Sequence, residues 1–160
     1  MSVLRSHAPA LRSIGDHMGL ESAAAIAKHP GVVAVYRITV HYFDGRAHDS
    51  VTTLKRMTTG EPSLETVYLR AFQHKALTHP ITLERVEAFA VALSEVKFDR
   101  MGDQANLPEY ASTDLWFIER AAGMFSHGVV IAPATAEGDY GRLVNAVKNG
   151  LPEAIKQVGM

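Results

Sequence analysis

One run of residues, Val32 to Phe43, constrains the fold of this chain more than any other feature. The run is rich in β-branched and aromatic residues, which favour β-strands. Its first half is apolar at both odd and even positions, so both faces of the strand need to be covered. Asp44 and Gly45 follow directly, and this dipeptide is typical of a tight hairpin turn. We therefore predict a β-hairpin over 32–57, with a returning strand from about Asp49 to Met57.

A second hairpin and three helices follow from the remaining patterns. Residues 113–132 contain two strand-like runs separated by the turn Ala121-Ala122-Gly123, and this predicts another strand pair. Apolar residues recur at helical spacing elsewhere, which predicts helices over 63–76, 82–97 and 139–149. We therefore expect an α+β fold, in which a four-stranded antiparallel sheet from the two hairpins packs against helices on at least one face.

Length and composition narrow the class of protein. A chain of 160 residues is typical of one domain, which we take to be an N-terminal helical arm (1–30) and a ββααββα body (31–160). The net charge is −1, whereas nucleic-acid binders are generally basic, so we expect no nucleic-acid partner. The absence of cysteine excludes disulfides, thiol nucleophiles and cysteine zinc sites. No apolar run reaches the ~20 residues that cross a bilayer, and no secretory signal is evident. We therefore expect a cytoplasmic protein without a membrane partner.

Histidine is abundant, with eight in the chain, but no spacing between them matches a zinc site. His41 and His127 lie on predicted strands of different hairpins, so pairing of those hairpins would bring the two imidazoles near each other. Asp114 and Glu119 are the carboxylates next to such a site. These four residues are the candidates for a small enzyme or a metal- or ligand-binding domain. The alternative is that both histidines are ordinary half-buried strand residues.

The acidic residues between the helices and the second hairpin are another candidate for cation binding. Hard cations prefer oxygen ligands, and residues 99–114 carry several carboxylates. Their spacing lacks the alternating ligand series of an EF-hand, and the alternative is that they cap helices and accept hydrogen bonds in turns. No motif for a nucleophilic triad or a phosphate-binding loop occurs. We therefore expect no resident metal and no cofactor, and catalysis is the less favoured hypothesis.

The apolar strands indicate a different function. Three helices cannot cover both faces of strands that are apolar on both sides, and the uncovered face would expose Val33, Val35 and Trp116. Monomers seldom leave an apolar patch of that size in water. We therefore predict a homodimer, and the first functional hypothesis is a non-enzymatic module that self-associates or binds a protein partner. The alternative is that the N-terminal arm covers this face with its apolar side chains, Leu11, Ile14 and Met18.

Overall fold

The structure, a computed structural model, describes residues 7–159. Two helices come first, α1 (Ala8–His17) and α2 (Ala23–Ile26). Four strands follow, β1 (Val32–His41), β2 (Ser50–Met57), β3 (Ser63–Tyr68) and β4 (Leu77–His79). The chain then forms α3 (Leu83–Glu95), β5 (Leu115–Ala122), β6 (Phe125–Ile131) and α4 (Asp139–Gly150). Residues 1–6 of the predicted arm and residue 160 lie outside the described part of the chain.

All six strands form one antiparallel sheet in the order β4-β3-β2-β1-β5-β6. The predicted α+β class and the antiparallel pairing are therefore confirmed, and so are both hairpins. The number of strands was wrong, because the sheet has six strands and not four. β1 joins the two hairpins, because it pairs with β2 of its own hairpin on one side and with β5 of the second hairpin on the other.

The two additional strands replace the helix predicted over 63–76. Leu64, Val67 and Tyr68 fit helical spacing, but Leu64 and Tyr68 also fit the alternation of a strand, and short apolar runs satisfy both patterns. Pairing with β2 decides the outcome, since Leu64 lies opposite Leu54 and both are fully buried. Local spacing contains no information about this partner, which is why the prediction failed. The body is therefore ββββαββα.

Helices α3 and α4 cover one face of the sheet, which we call the C-terminal face. Even-numbered residues of β1 point to it and join the main hydrophobic core, among them Tyr36, Ile38 and Val40. Phe89 of α3 packs edge-on against Tyr36 with their ring centroids 5.5 Å apart. Every residue predicted for the core is buried, on this face or on the other: Ile38, Val40, Phe89, Leu93, Phe117, Val129, Leu143 and Val147.

Helices α1 and α2 cover the opposite face, which we call the N-terminal face. Leu11, Ile14 and Met18 pack against Val51 and Phe117 in a second hydrophobic cluster. Val35 packs against α2 in a third cluster, with Ala23, Ala27 and Ala121. The second apolar face that argued for a dimer is therefore covered within one chain, in the way that the alternative of a folded-back arm described.

Candidate ligand-binding site

A pocket of about 610 Å³ opens between the N-terminal helices and the N-terminal face of the sheet. Its wall includes residues of α1, α2, β1, β5 and β6, so distant parts of the sequence build it together. Small-molecule sites commonly have volumes between about 300 and 1,000 Å³. The polar and charged residues around it are Arg12, Asp16, Ser22, Arg37, Thr39, Glu119, Arg120, Ser126 and His127.

Arg37 is the charged side chain that this pocket buries most deeply. It is only 7% exposed, although it stands in the middle of β1 between two apolar residues. Its Nε donates to the hydroxyl of Thr53 at 3.0 Å, and its Nη1 donates to the carbonyl of Glu21 at 2.7 Å. Among residues 7–159 no acceptor forms a hydrogen bond with Nη2. This nitrogen is also not among the fully buried polar atoms that lack a hydrogen-bond partner. Two bonds therefore hold the guanidinium in place while a third donor group remains available.

Burial lowers the pKa of Arg37, and the negative charges of Glu119, Glu21 and Asp16 act in the opposite direction. An arginine in a protein remains protonated in either case. The pocket therefore contains a permanent positive charge that is largely removed from water. Such a charge is stabilised by anions or by acceptor atoms that come close to it.

Glu119 is the cross-strand neighbour of Arg37, since β1 and β5 pair these two residues directly. Burial raises the pKa of the Glu119 carboxyl, the charges of Arg37 and Arg12 oppose this, and Asp16 adds to it. Within the described part of the chain, Glu119 forms no ion pair or hydrogen bond with Arg37 or with any other side chain. The two opposite charges thus share one pocket without contacting each other.

Gly128 makes the floor of this pocket possible. It lies opposite Glu119 on β6, and a Cβ atom there would lie 2.6 Å from Cε1 of the Phe117 ring. Glycine therefore allows the ring of Phe117 to lie flat beside β6. The guanidinium carbon of Arg12 lies 5.1 Å from the centroid of that ring, which is within the range of a cation–π contact. Phe117 in this way positions a second positive charge at the pocket.

His127 contributes to the wall of the pocket, but its imidazole does not face it. Its Nε2 lies 2.7 Å from the carbonyl oxygen of Met101, and its ring packs edge-on against Phe98, 5.4 Å between centroids. Phe98 belongs to the core on the C-terminal face. Because neighbouring residues of a strand point to opposite faces, Gly128 faces the pocket while the side chain of His127 points away from it.

His41 lies at the other end of the sheet. It is paired with Leu115 at the start of β5, whereas His127 is paired with Arg120 near the end of that strand. Its Nδ1 lies 2.8 Å from a carboxylate oxygen of Asp49, and its ring stacks on Tyr110 at 4.1 Å. The predicted approach of the two histidines was therefore wrong, because the pairing of the hairpins places them at opposite ends and on opposite faces.

Asp114 is also remote from the pocket. It forms an ion pair with Arg46 and accepts a hydrogen bond from the backbone N–H of Phe43 at 3.3 Å. Asp99 pairs with Arg120 at 3.1 Å, and Asp103 accepts from a backbone N–H of β6. Within residues 7–159, no three His, Cys, Asp or Glu side chains are grouped so that they could hold a metal ion. Asp99, Asp103 and Asp114 therefore hold loops and strand ends in place through ion pairs and hydrogen bonds.

The three residues proposed for an interface occupy different environments. Trp116 is 6% exposed in the core on the C-terminal face, and Val35 is fully buried under α2. Only Val33 is substantially exposed, at 40%. Trp116 and Val35 therefore offer no apolar surface to a second molecule, and the premise of the predicted dimer does not hold for them.

The sequence contained a signal for this pocket that the analysis of motifs missed. Arg37 stands between Tyr36 and Ile38 on β1, Glu119 directly follows the apolar residues 115–118 of β5, and charged side chains are rarely buried unless something pairs with them. Arg12 and Asp16 are four residues apart on α1, where both are exposed and both border the pocket. Only Glu119 was among the predicted site residues.

Comparisons with known proteins add no functional information, because no family model, no curated protein and no solved structure matches the chain. None of the helices between residues 7 and 159 has the length and apolar character needed to cross a membrane.

Proposed function

We propose that this chain is a ligand-binding domain that takes a small polar molecule into the pocket between its N-terminal helices and the sheet. The observation that carries the proposal is the pair formed by Arg37 and Glu119. Arg37 is buried and Glu119 is half-buried, both line one pocket, and no ion pair joins them. Burying a charge without a close partner is costly, so such groups are typical of sites that are completed by a ligand.

The proposal is one of binding and not of catalysis. The imidazoles of His41 and His127, the histidine candidates for a small enzyme or binding site, both contact other parts of the molecule. Glu119 and His127 are the predicted site residues that line the pocket, and of the two only Glu119 has its side chain on the pocket face of the sheet. This function belongs to the second of the two hypotheses from the sequence, with arginine taking the place assigned there to histidine.

Thermal unfolding in the presence of small polar compounds tests the proposal. A ligand at a concentration of 100 times its Kd stabilises the folded state by about 2.7 kcal/mol. For a chain of this size that corresponds to a rise in Tm of roughly 5–11 °C. The rise should be lost in Glu119→Gln and in Arg12→Gln. It should persist in Asp99→Asn, a matched change of a carboxylate on the C-terminal face. A hit that stabilises all three variants equally would place the ligand elsewhere and refute the proposal.

We propose secondly that two copies associate through the first half of β6, which lies at the edge of the sheet. Its second half is capped: the N–H of Val130 donates to Asp103 at 2.8 Å, and the N–H of Ala132 donates to Gln104 at 2.9 Å. Since main-chain groups two residues apart point the same way, those of Ser126 and Gly128 also point outward. Among residues 7–159 nothing bonds them.

The side chains beside this open edge support the same proposal. Phe125 is 43% exposed and Met124 is 87% exposed. An unpaired strand edge flanked by apolar side chains pairs readily with another strand. The predicted homodimer therefore remains a proposal, with β6 as its interface in place of Trp116 and Val35.

Light scattering at micromolar concentration tests this association. We expect a mass near twice 17.4 kDa for the chain and a mass near 17.4 kDa for Ser126→Pro. Proline removes the outward N–H of Ser126 and is tolerated at a strand edge. Met124→Ser, which leaves the main chain intact, is the control for lost apolar surface. A monomeric wild-type chain would refute the dimer.

The cytoplasmic location also stays a prediction, which cell fractionation would test.

A further inference from the structure

Apart from Arg120, whose guanidinium pairs with Asp99, the charges around the pocket come as two pairs of opposite sign. Arg12 and Asp16 are one helical turn apart on α1, and Arg37 and Glu119 are cross-strand neighbours on β1 and β5. The four charges sum to zero, yet they remain separate, because no ion pair joins any two of them within the described residues. The pocket therefore presents a positive and a negative group to the same enclosed space.

This arrangement discriminates between classes of ligand. An anion that binds Arg37 is placed beside the Glu119 carboxylate, which repels it. A cation that binds Glu119 is likewise placed beside the guanidinium of Arg37. Either repulsion is costly next to a buried guanidinium, and either ligand leaves one protein charge without a partner. Only a molecule that carries both charges satisfies both groups.

We propose that the ligand is a small zwitterion, with a carboxylate for Nη2 of Arg37 and an ammonium group for Glu119. This inference rests on the proposed function and specifies its ligand class. Residues directly opposite on antiparallel strands have Cβ atoms about 4.5–5.5 Å apart, so their two charged groups lie close enough to contact one small molecule. Free α-amino acids, in which one carbon separates the ammonium and carboxylate groups, are the simplest members of this class.

The remaining wall of the pocket favours an aliphatic amino acid over a polar one. Two of the apolar residues that line it keep exposed surface, one in the segment before α2 and one in α2: Leu20 and Ala24. An aliphatic side chain that contacts them is removed from water, and this contributes to binding roughly in proportion to its apolar area. We therefore expect leucine to bind more tightly than glycine.

Isothermal titration calorimetry of the full chain tests the inference with three matched probes. L-leucine carries both charges, 4-methylpentanoate lacks its ammonium group, and 3-methylbutylamine lacks its carboxylate. We expect leucine to bind at least roughly tenfold more tightly than either single-charge probe, as the loss of one partner of a buried charge pair predicts. If 4-methylpentanoate binds as tightly as leucine, the pocket is an anion site and the inference is overturned, while the proposed function stands.

A variant separates the role of the negative charge from a general effect on the fold. In Glu119→Gln, the affinity for leucine should fall to that of 4-methylpentanoate, and binding of 4-methylpentanoate itself should not weaken. Asp99→Asn, on the C-terminal face, should bind all three probes as the wild-type chain does. Equally weakened binding of leucine and 4-methylpentanoate in Glu119→Gln would overturn the inference.

If no zwitterion binds but another polar compound raises Tm, the ligand class is wrong. If no polar compound binds at all, the proposed function fails as well.

Discussion

Replacing Gly128 with alanine tests the packing beneath the pocket most directly. The new methyl group would lie 2.6 Å from Cε1 and 2.7 Å from Cζ of the Phe117 ring, where ordinary van der Waals contact begins near 3.4 Å. Phe117 has little freedom to move away, since it is only 1% exposed and the guanidinium of Arg12 lies over its ring. Either the ring leaves its rotamer or β6 shifts away from α1.

Overpacking of a buried site of this kind destabilises a protein by about 1–3 kcal/mol. A chain of this size loses about 2–4 °C in Tm per kcal/mol, so Gly128→Ala should lower Tm by roughly 2–12 °C. The midpoint of urea unfolding should fall without a change in the slope, because the surface exposed on unfolding stays nearly the same. The displaced ring also moves Arg12, and ligand binding should weaken with it.

Circular dichroism during urea and thermal unfolding measures the effect. Gly102→Ala is the matched control, since no atom lies within 4 Å of a Cβ placed there, and its stability should remain close to wild type. Adding Phe117→Leu to Gly128→Ala should recover part of the loss, since the smaller side chain makes room for the methyl group. If Gly128→Ala and Gly102→Ala are equally stable, glycine is not required for the position of Phe117 and the reasoning is refuted.

Three further predictions concern the core and the pH dependence of stability. Phe89→Ala should lower the free energy of unfolding by about 3–5 kcal/mol, because Phe89 is only 1% exposed and packs against Tyr36. An unchanged midpoint of denaturant unfolding would contradict this. Burial raises the pKa of Glu119, so its ionisation opposes folding once the pH rises above the pKa of the unfolded chain, near 4.3. Glu119→Gln should therefore stabilise the protein at pH 7 and not below about pH 4, as unfolding at both pH values would show. Glu153 behaves in the opposite way: burial would raise its pKa, but the two hydrogen bonds from Arg85, at 2.8 and 3.1 Å, lower it overall. Glu153→Gln should cost about 1 kcal/mol at pH 7, and the cost should disappear in acid as the pH falls through the lowered pKa of the native state.

Local patterns in the sequence predicted the elements that have strong signals of their own. The β-branched run of β1 and the apolar stripe of α3 each depend on residues within a few positions, whereas the tight turn predicted at Asp44 and Gly45 is instead a longer loop over 42–49. The capping of α3 is also local, since the hydroxyl of Thr82 accepts from the N–H of Arg85 at 3.2 Å. For β1 and α3 the sequence was sufficient, since the interactions that specify them are between near neighbours.

Local patterns were insufficient where two conformations fit the same residues. The segment that became β3 satisfies helical spacing, and only its pairing with β2 distinguishes the two outcomes. The local patterns were equally unable to predict that α1 and α2 cover the N-terminal face. Leu11 and Ile14 show an apolar helical stripe, but nothing within that stripe identifies the sheet face against which it packs.

The same distinction between local patterns and tertiary contacts applies to the candidate site. The sequence by itself determined that Arg37 and Glu119 each follow apolar residues on a strand, and alternation along each strand determined which neighbours share their faces. Only the tertiary structure decided that β1 and β5 pair in the register that places the two charges opposite each other, and that α1 closes the pocket above them. The physical reason is that side-chain direction along a strand follows from local backbone geometry. Register and cover depend instead on which distant apolar surfaces are buried together, and no local pattern specifies that choice.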